Sequence, residues 1–277
     1  MQIRYQMRFP GGLQLRPEDA LLHRCALIQP ADARTGRMPD VVRVTRTLPS
    51  REAAKESFGL RPMLLAQFRH EDFRGTRVLD VGTGDGRLAF VAAHLGARVL
   101  GVDLDRAKLM QARSYAGVRD LRRAEFVWGD VEKSSYREFS PDPLDFVLSN
   151  LCMSPEIVLR SSVALRVGGK MIFCCHHSDH WKETKRGSRW SFSEDSMEDL
   201  LRENRFTVEF LGVDTVVAQF GSLHEVESYL RPQTVGRWAE DGRWGELSDS
   251  FEAGMKTLTS SYLVGKARRV PDRSVEE

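Results

Sequence analysis

The chain has 277 residues, of which 41% are hydrophobic, and its formal net charge at pH 7 is +2. This length suffices for one large domain with appendages or for two small ones, and the composition is that of a soluble globular protein. The small net charge argues against a strongly basic face for nucleic acid. No apolar run approaches the ~20 residues of a membrane-spanning helix.

The cysteines predict a reducing environment. Cys25, Cys152, Cys174 and Cys175 form no C-x-x-C pair, so we expect free thiols and no metal site. A cytoplasmic location follows. The mitochondrial matrix is the alternative, because the first seventeen residues carry three arginines and no acid.

Residues 1–70 are expected to form an N-terminal extension that either binds substrate or packs against the core. Alternating apolar and polar residues predict a strand at 2–9, and a helix is predicted at 18–28. Residues 41–45 are compatible with another strand. Ser50 fits a helix N-cap, and a helix is predicted over 50–70 with a break around 59–62.

The segment from Val78 to Arg87 predicts a strand, a glycine-rich turn and the start of a helix. Residues 78–81 are apolar with β-branched members, glycines follow at 82, 84 and 86, and residues 88–95 are helix-like. Such a turn lets a ligand approach the backbone, and the helix N-terminus offers free N–H donors. An ordinary turn between strand and helix is the alternative.

The spacing G-x-G-x-G, with an acid two residues earlier, resembles motif I of the class I S-adenosylmethionine (SAM) methyltransferases. It differs from the dinucleotide fingerprint G-x-G-x-x-G. Further segments follow in that family's order over about residues 72–268. They are a second strand ending in Asp103, a third followed by Asp130, a fourth ending in Asn150, and the glycine pair 168–169 before a fifth.

This resemblance implies an α/β fold with a Rossmann-like seven-stranded methyltransferase sheet and helices on both faces. The implied strand order is 3-2-1-4-5-7-6, with strand 7 antiparallel. The alternation of strands and helices over 77–176 by itself predicts a parallel sheet with right-handed crossovers. The SAM-binding domain would span 71–268, with strand 6 at 206–213, a helical insertion at about 214–256 and a charged tail at 269–277.

The resemblance also implies SAM as the cofactor and S-adenosyl-L-homocysteine as its product. Ligands of open α/β sheets bind at the carboxyl ends of the strands. There Asp103 would hold the ribose, and Asp130 the adenine amino group between Leu104 and Val131. Each acid taken singly could instead be a helix cap or a loop end. The expected cofactor-binding residues are Asp80, Gly82, Thr83, Gly84, Gly86, Asp103, Leu104, Asp130, Val131 and Asn150.

The expected catalytic residues are Asn150, His176 and His177. Asn150 stands where the family places the transferred methyl group, but the residues after it depart from the N-P-P-[FY] signature of base and protein-amide methyltransferases. A general base at the end of strand 5 is chemically sensible for His176 or His177. A zinc site with His180 and solvated loop histidines are the alternatives.

The interpretation favoured by these patterns is a SAM-dependent methyltransferase acting on a small molecule or a carrier-bound acid. An RNA methyltransferase and a catalytically silent assembly factor are the alternatives. Nucleic acid is not an expected partner. The acceptor pocket is expected from residues 1–70, the loop at 175–190 and the helices at 223–256, because strands 1–3 would hold the cofactor.

Overall fold

The computed structural model describes residues 41–57, 59–119 and 121–271. The strand predicted at 2–9, the helix predicted at 18–28 and most of the charged tail lie outside these residues. The predicted helix at 50–70 is present as two helices, and its break at 59–62 is confirmed.

Nine strands form one mixed sheet in the described part of the chain. Their order is β1-β8-β9-β6-β5-β2-β3-β4, and β7 pairs with β6. The predicted order 3-2-1-4-5-7-6 is confirmed for β2 to β6, β8 and β9, and β9 is antiparallel to both neighbours. The predicted number of seven was wrong, because β1 and β7 join the same sheet. The bounds are β1 Val42–Pro49, β2 Arg77–Val81, β3 Arg98–Asp103, β4 Ala124–Trp128, β5 Leu144–Asn150, β6 Leu165–His177, β7 Ser191–Phe192, β8 Phe206–Gln219 and β9 Thr257–Arg269.

The helices cover both faces of the sheet, and serine side chains cap several of them. Ser154 and Ser193 accept hydrogen bonds from the backbone N–H three residues on, as expected for helix N-caps. The bounds are α1 Ser50–Ser57, α2 Pro62–Ala66, α3 Arg87–His94, α4 Arg106–Val118, α5 Tyr136–Phe139, α6 Pro155–Ala164, α7 Glu194–Glu203, α8 Leu223–Tyr229, α9 Pro232–Glu240 and α10 Arg243–Glu252.

Two strands are longer than their sequence patterns indicate. β8 continues to Gln219, beyond the predicted end at 213, because β9 and β1 flank it and pair with it on both sides. β6 continues to His177, so His176 and His177 lie on a strand and not in the loop predicted at 175–190. Alternate residues of a strand face opposite sides, and His176 and His177 therefore point to different faces.

Apolar layers on the two faces form the core. One layer packs α5, α6 and α7 against the sheet, and the other packs α2, α3 and α4. A third cluster joins α8, α9 and α10 to the ends of β8 and β9 around the fully buried Trp238. No helix among the described residues has the length and apolar character needed to cross a bilayer.

Candidate active site

The glycine turn after β2 packs tightly against the turn after β5. Gly82 has φ 65°, and a Cβ placed there would lie 2.3 Å from Cβ of Cys152, so no larger residue fits. Gly86 has φ 85° and serves as the N-cap of α3. In front of Gly84, by contrast, a Cβ would meet only the Lys108 side chain, at 3.8 Å. The turn is thus closed toward β5 and open beside Gly84.

Asp80 organises this turn from inside the protein. Its Oδ2 atom accepts hydrogen bonds from Thr83 Oγ1 at 2.6 Å and from the backbone N–H of Ala89 at 3.1 Å. Burial raises the pKa of Asp80 to about 7, although both hydrogen bonds oppose that shift. Asp80 therefore couples the end of β2 to the first turn of α3.

Asp103 is the last residue of β3, and its side chain joins this strand to the glycine turn after β2. Its Oδ2 accepts a hydrogen bond from the backbone N–H of Gly84 at 2.7 Å, and its Oδ1 accepts one from the backbone N–H of Asp105 at 2.8 Å. Each carboxylate oxygen has a second lone pair. Because Asp103 is only partly buried, it retains the capacity to accept hydrogen bonds from a diol.

Two large apolar side chains beside Asp103 are exposed. Leu104 and Trp128 are 54% and 50% exposed, and Trp128 pairs with Asp103 in the sheet. The indole N–H donates to the Leu104 carbonyl at 3.1 Å, which fixes the ring. Asp130 follows two residues later, with its Oδ1 accepting from the backbone N–H of Glu132 at 3.0 Å. Val131 is buried.

The pKa of Asp130 lies below its usual value. Slight burial raises the pKa, but the hydrogen bond from Glu132 and the ammonium of Lys133 outweigh it. Asp130 is therefore ionised at neutral pH, as an acceptor for an amino group should be.

The turn after β5 holds Asn150 at the same edge. Asn150 is partly buried and pairs with Cys174 on β6. Leu151 has φ 61° and donates its backbone N–H to the Cys174 carbonyl at 2.7 Å. Burial, followed by the nearby acids, raises the pKa of the Cys152 thiol to about 12, so this thiol is protonated.

His176 and His177 occupy different surroundings on the two faces of β6. His176 is partly buried and stacks on His180 with ring centroids 4.2 Å apart. Burial and the charge of Arg61 lower the pKa of His176 to about 4, so its imidazole is neutral at pH 7. His180 is buried, and its Nδ1 lies 3.1 Å from both backbone polar atoms of Ser261.

His177 is held on the opposite face. Its Nδ1 accepts a hydrogen bond from the backbone N–H of Asp179 at 3.1 Å, so its Nε2 carries the proton that is donated to Glu194 at 2.9 Å. Glu194 also pairs with Arg43. His177 is thus tied to α7, whereas His176 faces the side of α2.

A buried group of charges lies beyond His176, and we call Arg46, Arg61, Asp214 and Tyr262 the Arg61 cluster. Arg61 Nη1 lies 3.2 Å from Asp214 Oδ2, and Arg46 Nη2 lies 2.8 Å from Asp214 Oδ1. The Arg61 guanidinium stands 3.7 Å above the centre of the Tyr262 ring. Its buried Nη2 has no hydrogen-bond partner in the described chain.

The structure brings most of the predicted residues to one edge of the sheet. The turn residues Asp80 to Gly86 are linked to Asp103 through Gly84, and the Gly82–Cys152 contact brings the turn after Asn150 against them. His177 is the exception, since it faces α7. Their roles in binding and catalysis stay predictions. Among the described residues, no group of three His, Cys, Asp or Glu side chains is placed to hold a metal ion.

Sequence reasoning missed Trp128, Cys152 and the Arg61 cluster. One signal was present for the cluster: apolar residues resume at Val216 after Asp214 and Thr215, which allows the strand predicted to end at 213 to continue through a carboxylate. A carboxylate in the middle of a buried strand requires a cationic partner, but the pattern does not say which arginine supplies it.

A carboxylate, a glycine turn and exposed apolar side chains at the carboxyl ends of parallel strands form the arrangement at which open α/β sheets bind nucleotide ligands. Comparison with known proteins is more specific. Residues 72–205 match the family model described as a methyltransferase domain. The ubiquinone biosynthesis O-methyltransferase of Nitrosococcus oceani is 33% identical over 214 residues, which are 75% of this chain and 79% of that protein.

A shorter sequence match and two structural matches are also found. The ribosomal protein L11 methyltransferase of Deinococcus radiodurans is 38% identical over 105 residues, but the match spans only 38% of that protein. A Bacillus halodurans structure described as a methyltransferase has a TM-score of 0.59 at 17% identity, covering 76% of this chain and 98% of that one. The YcgJ protein of Bacillus subtilis has the same coverage, with a TM-score of 0.57 at 14% identity.

The chain therefore belongs to the class I SAM-dependent methyltransferases, and its cofactor is SAM. The residues present fit this molecule. Asp103 has free lone pairs beside the open face of Gly84, and Leu104 and Trp128 offer apolar surface next to it.

Proposed function

We propose that this protein transfers the methyl group of SAM to a small molecule or carrier-bound acid, whose acidic group is recognised by the Arg61 cluster. The observation that carries this proposal is the buried Nη2 atom of Arg61, which has no hydrogen-bond partner among the described residues. The Arg61 side chain is only 5% exposed, so water does not replace that partner freely. A buried charged group is costly unless its donors are satisfied, and an anionic acceptor that displaced the side chains covering Arg61 would supply the missing oxygen.

The position of the cluster supports the same acceptor. His176, Tyr262 and Asp214 pair in register across β6, β9 and β8, so their side chains share one face of the sheet. Neighbouring strands are about 4.8 Å apart, and the row therefore spans about 10 Å. Asn150 is on the next strand, β5, opposite Cys174. An acid bound at Arg61 would leave the rest of the acceptor directed along this row toward Asn150.

Segments expected to build the acceptor pocket contribute to this row. Arg46 and Arg61 belong to the predicted N-terminal extension, and His180 belongs to the predicted loop at 175–190. His180 stacks on His176, and its ring lies 4.9 Å from that of Tyr262. These contacts support a role of both segments in holding the acceptor.

The proposed roles follow from these surroundings. When bound, SAM supplies an electrophilic methyl group on its sulfonium. Asp103 and Asp130 hold its adenosyl part, and Asn150 orients the acceptor, since in-line transfer depends on alignment. His176 is the first candidate base, because its neutral imidazole can accept a proton. His177 is second, because Glu194 already holds it.

If the group that is methylated were a second carboxylate, distinct from the acid held at Arg61, the demand on that base would be smaller. A carboxyl group is already ionised at neutral pH and has no proton to remove. His176, with its low pKa, would then orient the acceptor through hydrogen bonds and not act as a general base. An alcohol or amine acceptor would need the base.

The comparisons support a small acceptor more than a macromolecular one. The relative matched over most of its length is named for ubiquinone biosynthesis, whereas the L11 methyltransferase match spans 38% of that protein. Residues 150–153 do not form the N-P-P-[FY] signature, and the net charge is only +2. Both observations favour a small acceptor over a nucleic acid. A cytoplasmic location is part of this proposal.

The test is methyl transfer from radiolabelled SAM to a cell extract separated into small-molecule, RNA and protein fractions. We expect label in acidic small molecules or carrier-bound acids, and much less label with Arg61→Met. Arg202→Met, an exposed arginine on α7, is the control for loss of one charge. Calorimetry with SAM shows whether the Arg61 variant still folds and binds cofactor.

Each other outcome favours a different function. Label in RNA would support the RNA methyltransferase, and label in protein would support a protein acceptor. SAM binding without transfer to any fraction would support the silent assembly factor.

A further inference from the structure

A second concave site lies at the edge of the sheet opposite the cofactor. A cavity of about 390 Å³ opens at the amino ends of β2, β3 and β4. The cofactor turn follows the carboxyl end of β2. A five-residue strand such as β2 spans ~16 Å, so the length of the strand separates the two sites. Neither the predicted SAM-binding residues nor the Arg61 cluster lines this cavity.

The cavity is open because the crossover between β4 and β5 is thin. Helix α5 has only four residues, Tyr136–Phe139, and its last residue forms part of the cavity wall. Leu100, Leu144 and Phe139 pack in the core layer on this face and also line the cavity. A longer helix would cover these side chains, whereas here apolar groups remain at the base of an open depression.

Four arginines surround this apolar base. Arg77 and Arg98 are the first residues of β2 and β3, and Arg122 and Arg123 precede β4. Glu125 is the one acid among the described residues that line the cavity. Arg77 also pairs with Asp142 at 2.7 Å, and even with that carboxylate included the positive charges outnumber the negative ones.

The arginines differ in how they are held. Arg123 donates from Nη1 to the Gly96 carbonyl at 2.8 Å, which fixes its guanidinium at the rim. Arg98 is exposed, and no ion pair or hydrogen bond from its side chain is seen within the described residues. Its guanidinium can therefore engage an incoming anion without breaking an existing pair.

We propose that this cavity is a binding site for a nucleoside phosphate, distinct from the SAM site. Arginine is suited to bidentate recognition of phosphate, and a flat nucleobase can pack on the partly exposed Phe139 and Leu100. The volume lies within the range of ~300–1,000 Å³ typical of small-molecule pockets. The apolar side chains at the bottom of the cavity distinguish this site from a purely electrostatic surface for polyanions, which would not need them.

The test is calorimetric titration of the full-length protein with ADP while saturating S-adenosylhomocysteine occupies the cofactor site. Blocking that site matters because ADP shares the adenosyl group with SAM. We expect ADP to bind, and to bind more weakly at high salt. In Arg98→Met/Arg122→Met the affinity should fall by about tenfold or more. The control Arg202→Met/Arg237→Met removes the same charge from exposed sites on α7 and α9 and should leave ADP affinity unchanged.

Two results would overturn the proposal. The first is no ADP binding at millimolar concentration in the wild-type protein, and the second is equal loss of affinity in the control. If ADP does not bind, length-dependent binding of a single-stranded RNA oligonucleotide would identify the arginines as a polyanion surface instead. Unchanged S-adenosylhomocysteine affinity in both double variants shows that they fold.

Discussion

Replacing Asp103 by alanine tests the cofactor half of the site. In the structure both carboxylate oxygens accept backbone hydrogen bonds, from Gly84 at 2.7 Å and from Asp105 at 2.8 Å. Their remaining lone pairs are the proposed acceptors for the ribose of SAM. A hydrogen bond to a charged group contributes about 1.5–3 kcal/mol. At about 1.4 kcal/mol for each factor of ten, SAM affinity should fall by about ten- to a hundredfold.

Calorimetry with SAM measures this change directly. Asp103→Asn is the matched control, because the amide keeps one acceptor oxygen and the size of the side chain but loses the charge. The SAM affinity of Asp103→Asn should lie between that of the wild type and that of Asp103→Ala. Unchanged SAM affinity in Asp103→Ala, with the fold intact by circular dichroism, would refute the assignment of Asp103 to the ribose.

The remaining predictions concern pH, catalysis and salt. The pKa of Asp80 is raised from 3.8 to about 7, so between these values the native state binds more protons than the unfolded state. Stability contributed by this group therefore falls as pH rises through that window, by up to about 4 kcal/mol. Urea denaturation of Asp80→Asn should show a flatter pH profile, and an identical profile would contradict the shift. His176→Ala, or else His177→Ala, should lower turnover by ~10²–10⁴-fold with SAM affinity nearly intact; full turnover in both would remove the base hypothesis. RNA binding should be weak at physiological ionic strength, and a sub-micromolar, salt-sensitive complex with tRNA or rRNA would contradict the proposed acceptor.

The alternation of parallel strands and helices was predictable from sequence because its signals are local, whereas the order of the strands was implied by the family resemblance. The strand, turn and helix from Val78 to Leu95 are adjacent in the chain, and the later segments ending in Asp103, Asn150 and the strand after Gly169 repeat the same alternation. Parallel strands joined by helices allow few topologies. The family and its cofactor followed from the resemblance of these ordered segments and are confirmed by the comparisons.

The edge of the sheet was less predictable because its pairing partners are distant. β1 lies beside β8, with Val44 opposite Asp214. Residues 41–45 suggested a strand, but its neighbour and its end at Pro49 depend on a segment about 170 residues later. The same pairing explains why β8 runs to Gln219, since a strand flanked on both sides can continue beyond its apolar pattern.

The sequence by itself determined the alternating strands and helices and the glycine turn, because each depends on neighbours in the chain. The strand order and the family followed from the resemblance of the ordered motifs. Only the tertiary structure decided which surroundings each histidine of β6 meets, and that Arg61 contacts Asp214 across 153 residues. The tertiary structure also brought four arginines together at the amino ends of β2, β3 and β4, where the short helix α5 leaves a cavity open. Charges from separate segments become a site only when packing removes water between them, and no local pattern records that packing.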